Sequence, residues 1–415
     1  MKMNDTPMDS KKMILRVILF VVAFAIAIIS FSRAVVGIGE KEEGYHEVET
    51  NADESAMFYA SGISLNYYFT GSSDEIKSKL NEVKNFYSVS LNQIYKLLDA
   101  ENEYEGCNNL ATLNHNLGKE IEIDGKLYDV LIDANQKTQE RQNFNMFAGA
   151  LFSEWNGILF LSDADSYDPL FNENEKERID RISEKTADLN HFNLEFLDDE
   201  KHIVKLSVSS EYLCFMEEME ITAPVLDLNC MKDAYKVQMV ANELSDGGFS
   251  DGYLMTKSGI HYVMGEHRPG AFCVYGKKDG TVRMLGSVDG IQGLVFSQIS
   301  AFPLLSGDGY YSVEKDGTVF YRHPFLSTQY GNFPDVVATS YVVSTEENVV
   351  DSWYYHLNLY GAESVEEVDK QMASLKQKGF FTAYTLQSDE MNLYMKANDL
   401  SIFHFDEKCG YQINL

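Results

Sequence analysis

The sequence predicts an α+β fold in a single domain, carried behind one N-terminal membrane-spanning helix. Three observations lead there. Stretches with apolar residues at helical spacing share the chain with runs that alternate apolar and polar residues. No Pro/Gly/Ser-rich linker divides the body of the 415-residue chain. The head of the chain holds a long apolar run. With 45% hydrophobic and 13% aromatic residues, including 25 Tyr and 25 Phe, the chain can bury a sizeable core, which excludes a disordered or low-complexity class.

Met13–Phe31 is 19 residues with Arg16 as its only charge. As a helix it spans ~28 Å, close to the hydrocarbon core of a bilayer. Lys11, Lys12 and Arg16 lie at its start, so residues 1–12 are expected in the cytoplasm and the body outside the cell membrane, single-pass. A signal peptide cleaved near Ser32-Arg33-Ala34 is the alternative, and a buried soluble helix a third. Residues 32–56 hold Glu40, Glu42, Glu43, Glu47, Glu49, Asp53 and Glu54 with little apolar periodicity and read as a solvated stalk. The ectodomain is expected over 57–415.

Within it, Ile63–Phe69 alternates as a strand. Ser73–Asp99 places Ile76, Leu80, Val83 and Phe86 at helical spacing. Lys126–Gln139 reads as a helix, Glu173–Asn190 as a charged exposed helix, and Lys201–Leu213 as a strand. An amphipathic helix over Val237–Leu244 ends at Gly247-Gly248, and Tyr253–Met255 is strand-like. Two Lys-Asp-Gly-Thr-Val segments, Lys278–Val282 and Lys315–Val319, read as hairpin tips because Asp-Gly favours positive φ. A helix over Val365–Lys378, stopped by Gly379, precedes strands at Phe380–Leu386 and Met391–Ala397.

The net charge of −30 comes from 34 basic and 64 acidic residues. The head is the exception: Lys2, Lys11, Lys12, Arg16 and Arg33 outnumber Asp5 and Asp9. An acidic body repels phosphate backbones and anionic headgroups, which argues against nucleic acid as a partner. The five cysteines form no C-x-x-C, so a zinc ribbon is excluded; buried thiols or one or two disulfides fit equally. There is no G-x-S-x-G, P-loop, H-E-x-x-H or strand-following G-x-G-x-x-G.

An ordered set of segments goes further. Leu113-Asn114 comes first, then Phe144-Asn145 with Gly149, Leu151 and Trp155. Leu226-Asp227-Leu228-Asn229-Cys230 leads into Lys232-Asp233-Ala234-Tyr235 and a helix. Ser258-Gly259, Leu305–Tyr310, Tyr321-Arg322-His323 and Val349-Val350-Asp351 follow. This order resembles the FAD:protein FMN transferase family, the flavin transferases once called thiamine-biosynthesis lipoproteins. The resemblance implies an antiparallel sheet with flanking helices and a flavin cleft. It also implies Mg²⁺-dependent transfer of FMN from FAD to a Thr or Ser hydroxyl of an acceptor flavoprotein of extracytoplasmic electron transfer, with release of AMP.

Carried onto this chain, the resemblance makes His323 the base for the acceptor hydroxyl and Asp351 the Mg²⁺ ligand. Asn114, Tyr235, Ser306 and Gly307 become flavin contacts. The chemistry is coherent, since a hard cation takes carboxylate oxygen and an imidazole titrates near neutral pH. Each residue also has a plain reading: His323 flanks a hairpin, Asp351 is a turn carboxylate, Asn114 a cap and Ser306-Gly307 a turn. The chain departs from the family where Asn229-Cys230 stand for Gly-Gly, where Asp233 takes the place of the lysine that Lys232 provides one residue early, and where Ser352-Trp353-Tyr354-Tyr355 replaces the stretch ending in Thr. A relative that binds FAD or a partner protein without transfer is therefore the second hypothesis, and a solute- or wall-binding module the third. Acceptor sequences of the Asp-Gly-x-Thr-Gly-Ala-Thr type are absent from the chain, so it is not expected to modify itself.

Overall fold

The computed structural model describes residues 42–51, 62–278, 281–289, 294–304, 309–328, 331, 334–346, 348–395, 402–403, 405, 408 and 410–414. The expected membrane helix, Met13–Phe31, lies outside them, as do Ser306 and Gly307. Among the described residues no helix is long and apolar enough to cross a membrane. The chain divides into two compact units. The smaller takes residues up to Tyr45 together with Tyr68–Glu82, and the larger takes His46–Tyr67 with Val83–Leu415. The larger unit holds every candidate residue.

The strands are β1 (Gly44–Val48), β2 (Ile63–Phe69), β3 (Glu120–Glu122), β4 (Phe192–Asp198), β5 (Ile203–Val208), β6 (Gly252–Thr256), β7 (Ile260–Met264), β8 (Ala271–Lys278), β9 (Thr281–Asp289), β10 (Val295–Ser300), β11 (Tyr311–Lys315), β12 (Thr318–Arg322), β13 (Val337–Ser344), β14 (Phe381–Leu386), β15 (Asp389–Tyr394), β16 (Ile402–Phe403) and β17 (Gln412–Asn414). The helices are α1 (Ser73–Leu97), α2 (Leu110–His115), α3 (Gly125–Gln139), α4 (Gly149–Leu159), α5 (Ala164–Tyr167), α6 (Glu173–Ala187), α7 (Ser210–Glu218), α8 (Lys232–Asp246), α9 (Val349–Tyr360) and α10 (Val365–Gln377).

Nine strands make the main sheet, in the order β1-β2-β6-β7-β10-β13-β14-β15-β17. The pairings from β2 to β15 are antiparallel, and β15 pairs with β17 in parallel. The α+β class and the antiparallel character of the sheet hold. Three local expectations do not. β1 falls inside the stretch read as a stalk, so the sheet begins before residue 57. The segment Lys201–Leu213 is a strand only to Val208, because Ser209 caps a new helix by accepting the Tyr212 N–H at 3.2 Å. Asp351, whose plain reading is a turn carboxylate, lies instead in the first turn of α9, whose N-cap is Asn348 accepting from Asp351 N.

The two central strands, β10 and β13, are buried at every position. On one face Phe296, Tyr341 and Val343 join Phe272, Val274, Leu285 and Val288 of the β8–β9 ribbon in the apolar core. Phe272 and Phe296 stack with centroids 4.7 Å apart. The other face is covered by α9. There His356, fully buried, sits between Ser297 Oγ and Ser340 Oγ, each 2.7 Å from a ring nitrogen. A neutral imidazole has one donor and one acceptor, and the two hydroxyls can satisfy both. At the β11–β12 tip Asp316 and Gly317 both have positive φ, as an Asp-Gly hairpin requires. The four described cysteines, Cys107, Cys214, Cys230 and Cys273, are free thiols.

Burial makes His356 hard to protonate and holds its pKa down at about 3. The unfolded chain protonates the same ring below about pH 6.5, while the folded chain does not. Stability is therefore complete above that pH and falls as pH drops toward the folded value, by up to about 1.4 kcal/mol per pH unit for this histidine. Urea midpoints measured between pH 7 and 5 should fall on the acid side, and His356→Gln should flatten that limb. An unchanged slope in the variant would remove His356 from the effect.

Candidate functional site

Three helices bring the first group of side chains together. Asp133 and Lys137 are four residues apart on α3 and share a face. Asp351 lies in the first turn of α9, where a carboxylate is favoured by the helix dipole. Tyr235 lies on α8. Lys137 Nζ donates to Asp133 Oδ1 at 2.7 Å and to Asp351 Oδ1 at 2.6 Å. The second oxygen of Asp133 accepts from Tyr235 OH at 2.6 Å, and that of Asp351 accepts from Asn348 Nδ2 at 2.8 Å. The Lys137 side chain is 8% exposed, whereas Asp133 and Asp351 are 38% and 40% exposed. The ammonium is thus enclosed and the carboxylates face outward.

Burial disfavours the Lys137 charge, and the two carboxylates outweigh it, holding the ammonium above the ordinary lysine value. Burial and the Asp133 charge push the Tyr235 hydroxyl well above its usual range, so it remains a donor. Tyr354 closes the back of the group. Its ring centroid is 5.4 Å from Lys137 Nζ, and its hydroxyl donates to Glu140 Oε2 at 2.8 Å.

The loop Leu226–Met231, which leads into α8, is pinned from several sides. Asn114 Oδ1 accepts Leu226 N–H at 2.8 Å while its Nδ2 donates to Leu226 O at 2.9 Å. Asp227 N–H donates to Met146 O at 2.9 Å. Asn229 Nδ2 donates to Asn145 O at 3.2 Å, and Trp353 Nε1 donates to Cys230 O at 2.7 Å. Asn229 has φ +47°, a left-handed conformation that asparagine tolerates better than most residues, so the loss of glycine there need not change the backbone. Gly149 at the start of α4 is required by space: a Cβ there would sit 2.1 Å from Pro224 O. Lys232 Nζ is 2.8 Å from Asp227, and Asp233 is bonded to Lys236 at 2.7 Å and to Ser258 Oγ at 2.8 Å. Burial pushes the Cys230 thiol up to about 12.

His323, which the resemblance makes the base for an acceptor hydroxyl, is enclosed. It is 0% exposed. Phe325 N–H donates to Nδ1 at 3.2 Å, which places the ring proton on Nε2, 3.1 Å from Tyr360 Oη. Its backbone carbonyl accepts from Trp155 Nε1 at 3.0 Å. Burial, with the Arg322 charge adding to it, holds the ring pKa down at about 3. Arg322 itself forms a buried two-point pair with Asp168, at 2.7 and 3.1 Å. Tyr311 OH also donates to Asp168 at 2.9 Å, so the pair anchors both strands of the β11–β12 hairpin just before His323.

Tyr235 and Asp351 therefore meet through Asp133 and Lys137, which the motif reading did not single out. Asn114 meets the loop that precedes Tyr235. His323 is joined to Trp155 and Tyr360 and shares no hydrogen bond with the carboxylate group. An Asp and a Lys four apart read from sequence as an ordinary helix-surface pair, and nothing local announces a contact to Asp351, 214 positions away. An open cavity of about 450 Å³ lies elsewhere, lined by Leu159, Phe160, Leu161, Tyr310 and Tyr311 among others.

The carboxylate group does not fit Mg²⁺ as it stands. The oxygens that a hard cation would need are taken by Lys137, Tyr235 and Asn348. No group of three or more His, Cys, Asp or Glu placed to hold a metal occurs among the described residues.

No protein-family model matches this chain, and no curated protein does. Solved structures do. A crystal structure of the ApbE protein of Thermotoga maritima aligns at a TM-score of 0.54 and 11% identity, covering 87% of this chain and 97% of that one. The flavin transferase ApbE of Vibrio cholerae aligns at 0.52 and 11% identity, covering 88% of this chain and 97% of that one. The fold is ApbE-like. At this identity the likeness is one of fold. The segments whose order resembled the flavin transferases are thus joined in one ApbE-like body: Asn114 to Leu226, Asn145 to Asn229, Ser258 to Asp233 and Trp353 to Cys230 are hydrogen-bonded pairs.

Removing one partner of a buried ion pair strands the other charge. Asp168→Asn should lower the stability of the ApbE-like body by about 3–5 kcal/mol in urea unfolding. A loss below about 1 kcal/mol, the worth of an exposed pair, would show that the hairpin is held by something else.

Proposed function

We propose that this chain is a non-transferring relative of the flavin transferases, which binds FAD and leaves it whole. The observation that carries this reading is the state of His323. A general base needs a free lone pair within reach of the hydroxyl it deprotonates. The Nδ1 lone pair of His323 is used by Phe325 N–H, and the ring has no exposed surface. The ApbE-like fold supports a flavin nucleotide as the ligand class. Asn114 and Tyr235, the flavin contacts implied by the motif order, flank the same loop and helix start. Ser306 and Gly307 belong to the same proposal, as does a setting outside the cell membrane behind Met13–Phe31.

Full transferase activity, with Mg²⁺ on Asp351 and FMN passed to a Thr or Ser hydroxyl of an acceptor flavoprotein, would require His323 to be uncovered and Lys137 displaced. A second reading, docking of a partner protein, is favoured by one observation. Phe160, Leu161, Tyr167 and Phe171 are 63%, 42%, 40% and 53% exposed within one short stretch.

The test uses the full-length chain with FAD, MgCl₂ and a flavin-acceptor domain. Flavin fluorescence reads binding, and chromatography reads AMP. Saturable binding without AMP is expected. AMP release with covalent flavin on the acceptor would overturn the reading, and absence of FAD binding would move the assignment to the partner protein.

A further inference from the structure

We infer that the Lys137 ammonium is a built-in cation that stands in place of a divalent ion, so that this site takes no Mg²⁺ while Lys137 is present. The inference rests on the non-transferring reading and explains one part of it. Two carboxylates from separate helices, Asp133 on α3 and Asp351 on α9, turn one oxygen each toward the same point. Two outward-facing carboxylates repel one another, and a cation between them relieves this. In this chain the cation is covalently part of α3. It is enclosed to 8% exposure, lies 2.7 and 2.6 Å from the two oxygens, and has the Tyr354 ring on a further side. An ammonium has three N–H donors. Two are spent on the carboxylates, and the Tyr354 ring lies at cation–π distance from the nitrogen.

The remaining carboxylate oxygens are held as well. Tyr235 OH donates to Asp133 Oδ2, and Asn348 Nδ2 donates to Asp351 Oδ2. A metal entering here would have to expel an ion-paired lysine into water and leave two charges to it alone. Removing Lys137 reverses the situation. The site would then hold two carboxylates and the Tyr235 hydroxyl with no counter-charge, while the Asn348 amide oxygen stays on the Asp351 N–H as the α9 cap. The spacing bears on which ion could enter. Oxygens set 2.6–2.7 Å from the ammonium nitrogen are nearer the 2.3–2.6 Å at which Ca²⁺ binds oxygen, with flexible geometry, than the shorter Mg²⁺ distance. Mg²⁺ demands 2.0–2.1 Å and octahedral placement, so the carboxylates would have to close inward to hold it.

The test reads metal binding and needs neither FAD nor AMP. Calorimetric titration of the full-length chain with MgCl₂ and with CaCl₂ is expected to give no saturable binding. Its melting temperature should shift with neither salt beyond a KCl control of equal ionic strength. Lys137→Ala is expected to gain saturable Ca²⁺ binding, a calcium-specific rise in melting temperature, and weaker Mg²⁺ binding. Lys137→Ala/Asp351→Asn should lose all three. Saturable Mg²⁺ binding by the unsubstituted chain that Asp351→Asn abolishes would overturn the inference, and this measurement stands even if Lys137→Ala does not fold. A folded Lys137→Ala chain that binds neither ion would overturn it too. AMP release by a chain that binds no divalent ion would defeat the non-transferring reading and leave the lysine assignment in place.

Discussion

The Lys137 ammonium is the contact on which the arrangement of the helices turns. It ties α3 to the first turn of α9 and, through Asp133 and Tyr235, to α8. Each of these helices serves a different neighbour. α9 covers β10 and β13, α8 follows the loop that Asn114 clamps, and Tyr354 on α9 reaches back to Glu140 just beyond α3. An enclosed charge is stable only when its partners are in place, so the register of all three helices is coupled through one side chain.

A second set of constraints keeps the interior neutral. His323 and His356 are both wholly buried, and both have their ring nitrogens matched to protein groups. The buried ion pair of Asp168 with Arg322 is bidentate and further satisfied by Tyr311, which is how a buried carboxylate avoids a large desolvation penalty. Both tryptophans use their indole N–H to satisfy backbone carbonyls, Trp155 at His323 and Trp353 at Cys230. Trp353, two residues after Asp351, thus acts as a structural support for the Leu226–Met231 loop.

Much of the fold was legible because half-buried elements leave a period in the sequence. β2 alternates buried and partly exposed residues along its length, and its limits coincide with those read from sequence. α10 has a serine cap, acidic first turn and glycine stop in the expected order. What was hidden is what is buried on all sides. α9 buries ten of its twelve residues, so no 3.6-residue stripe marks it. β10 and β13 lack alternation for the same reason. The site divides similarly. Asn114, Tyr235 and Asp351 could be named because an ordered set of motifs passes through them. Asp133 and Lys137 could not, because their significance arises from contact with a residue far away in the chain. The enclosure of His323 was beyond reach too, since it depends on Trp155, Phe325 and Tyr360 arriving from three separate segments.

The position of β1 also bears on reach. Only 12 residues lie between Phe31, the end of the apolar run, and Gly44, where β1 begins. Fully extended, that length spans no more than about 43 Å. If Met13–Phe31 crosses a bilayer, this leash would keep the start of β1 within that distance of the lipid surface. With a body of strongly negative charge, anionic headgroups would then push the domain outward against a short tether, limiting the range of orientations in which a ligand or partner meets it.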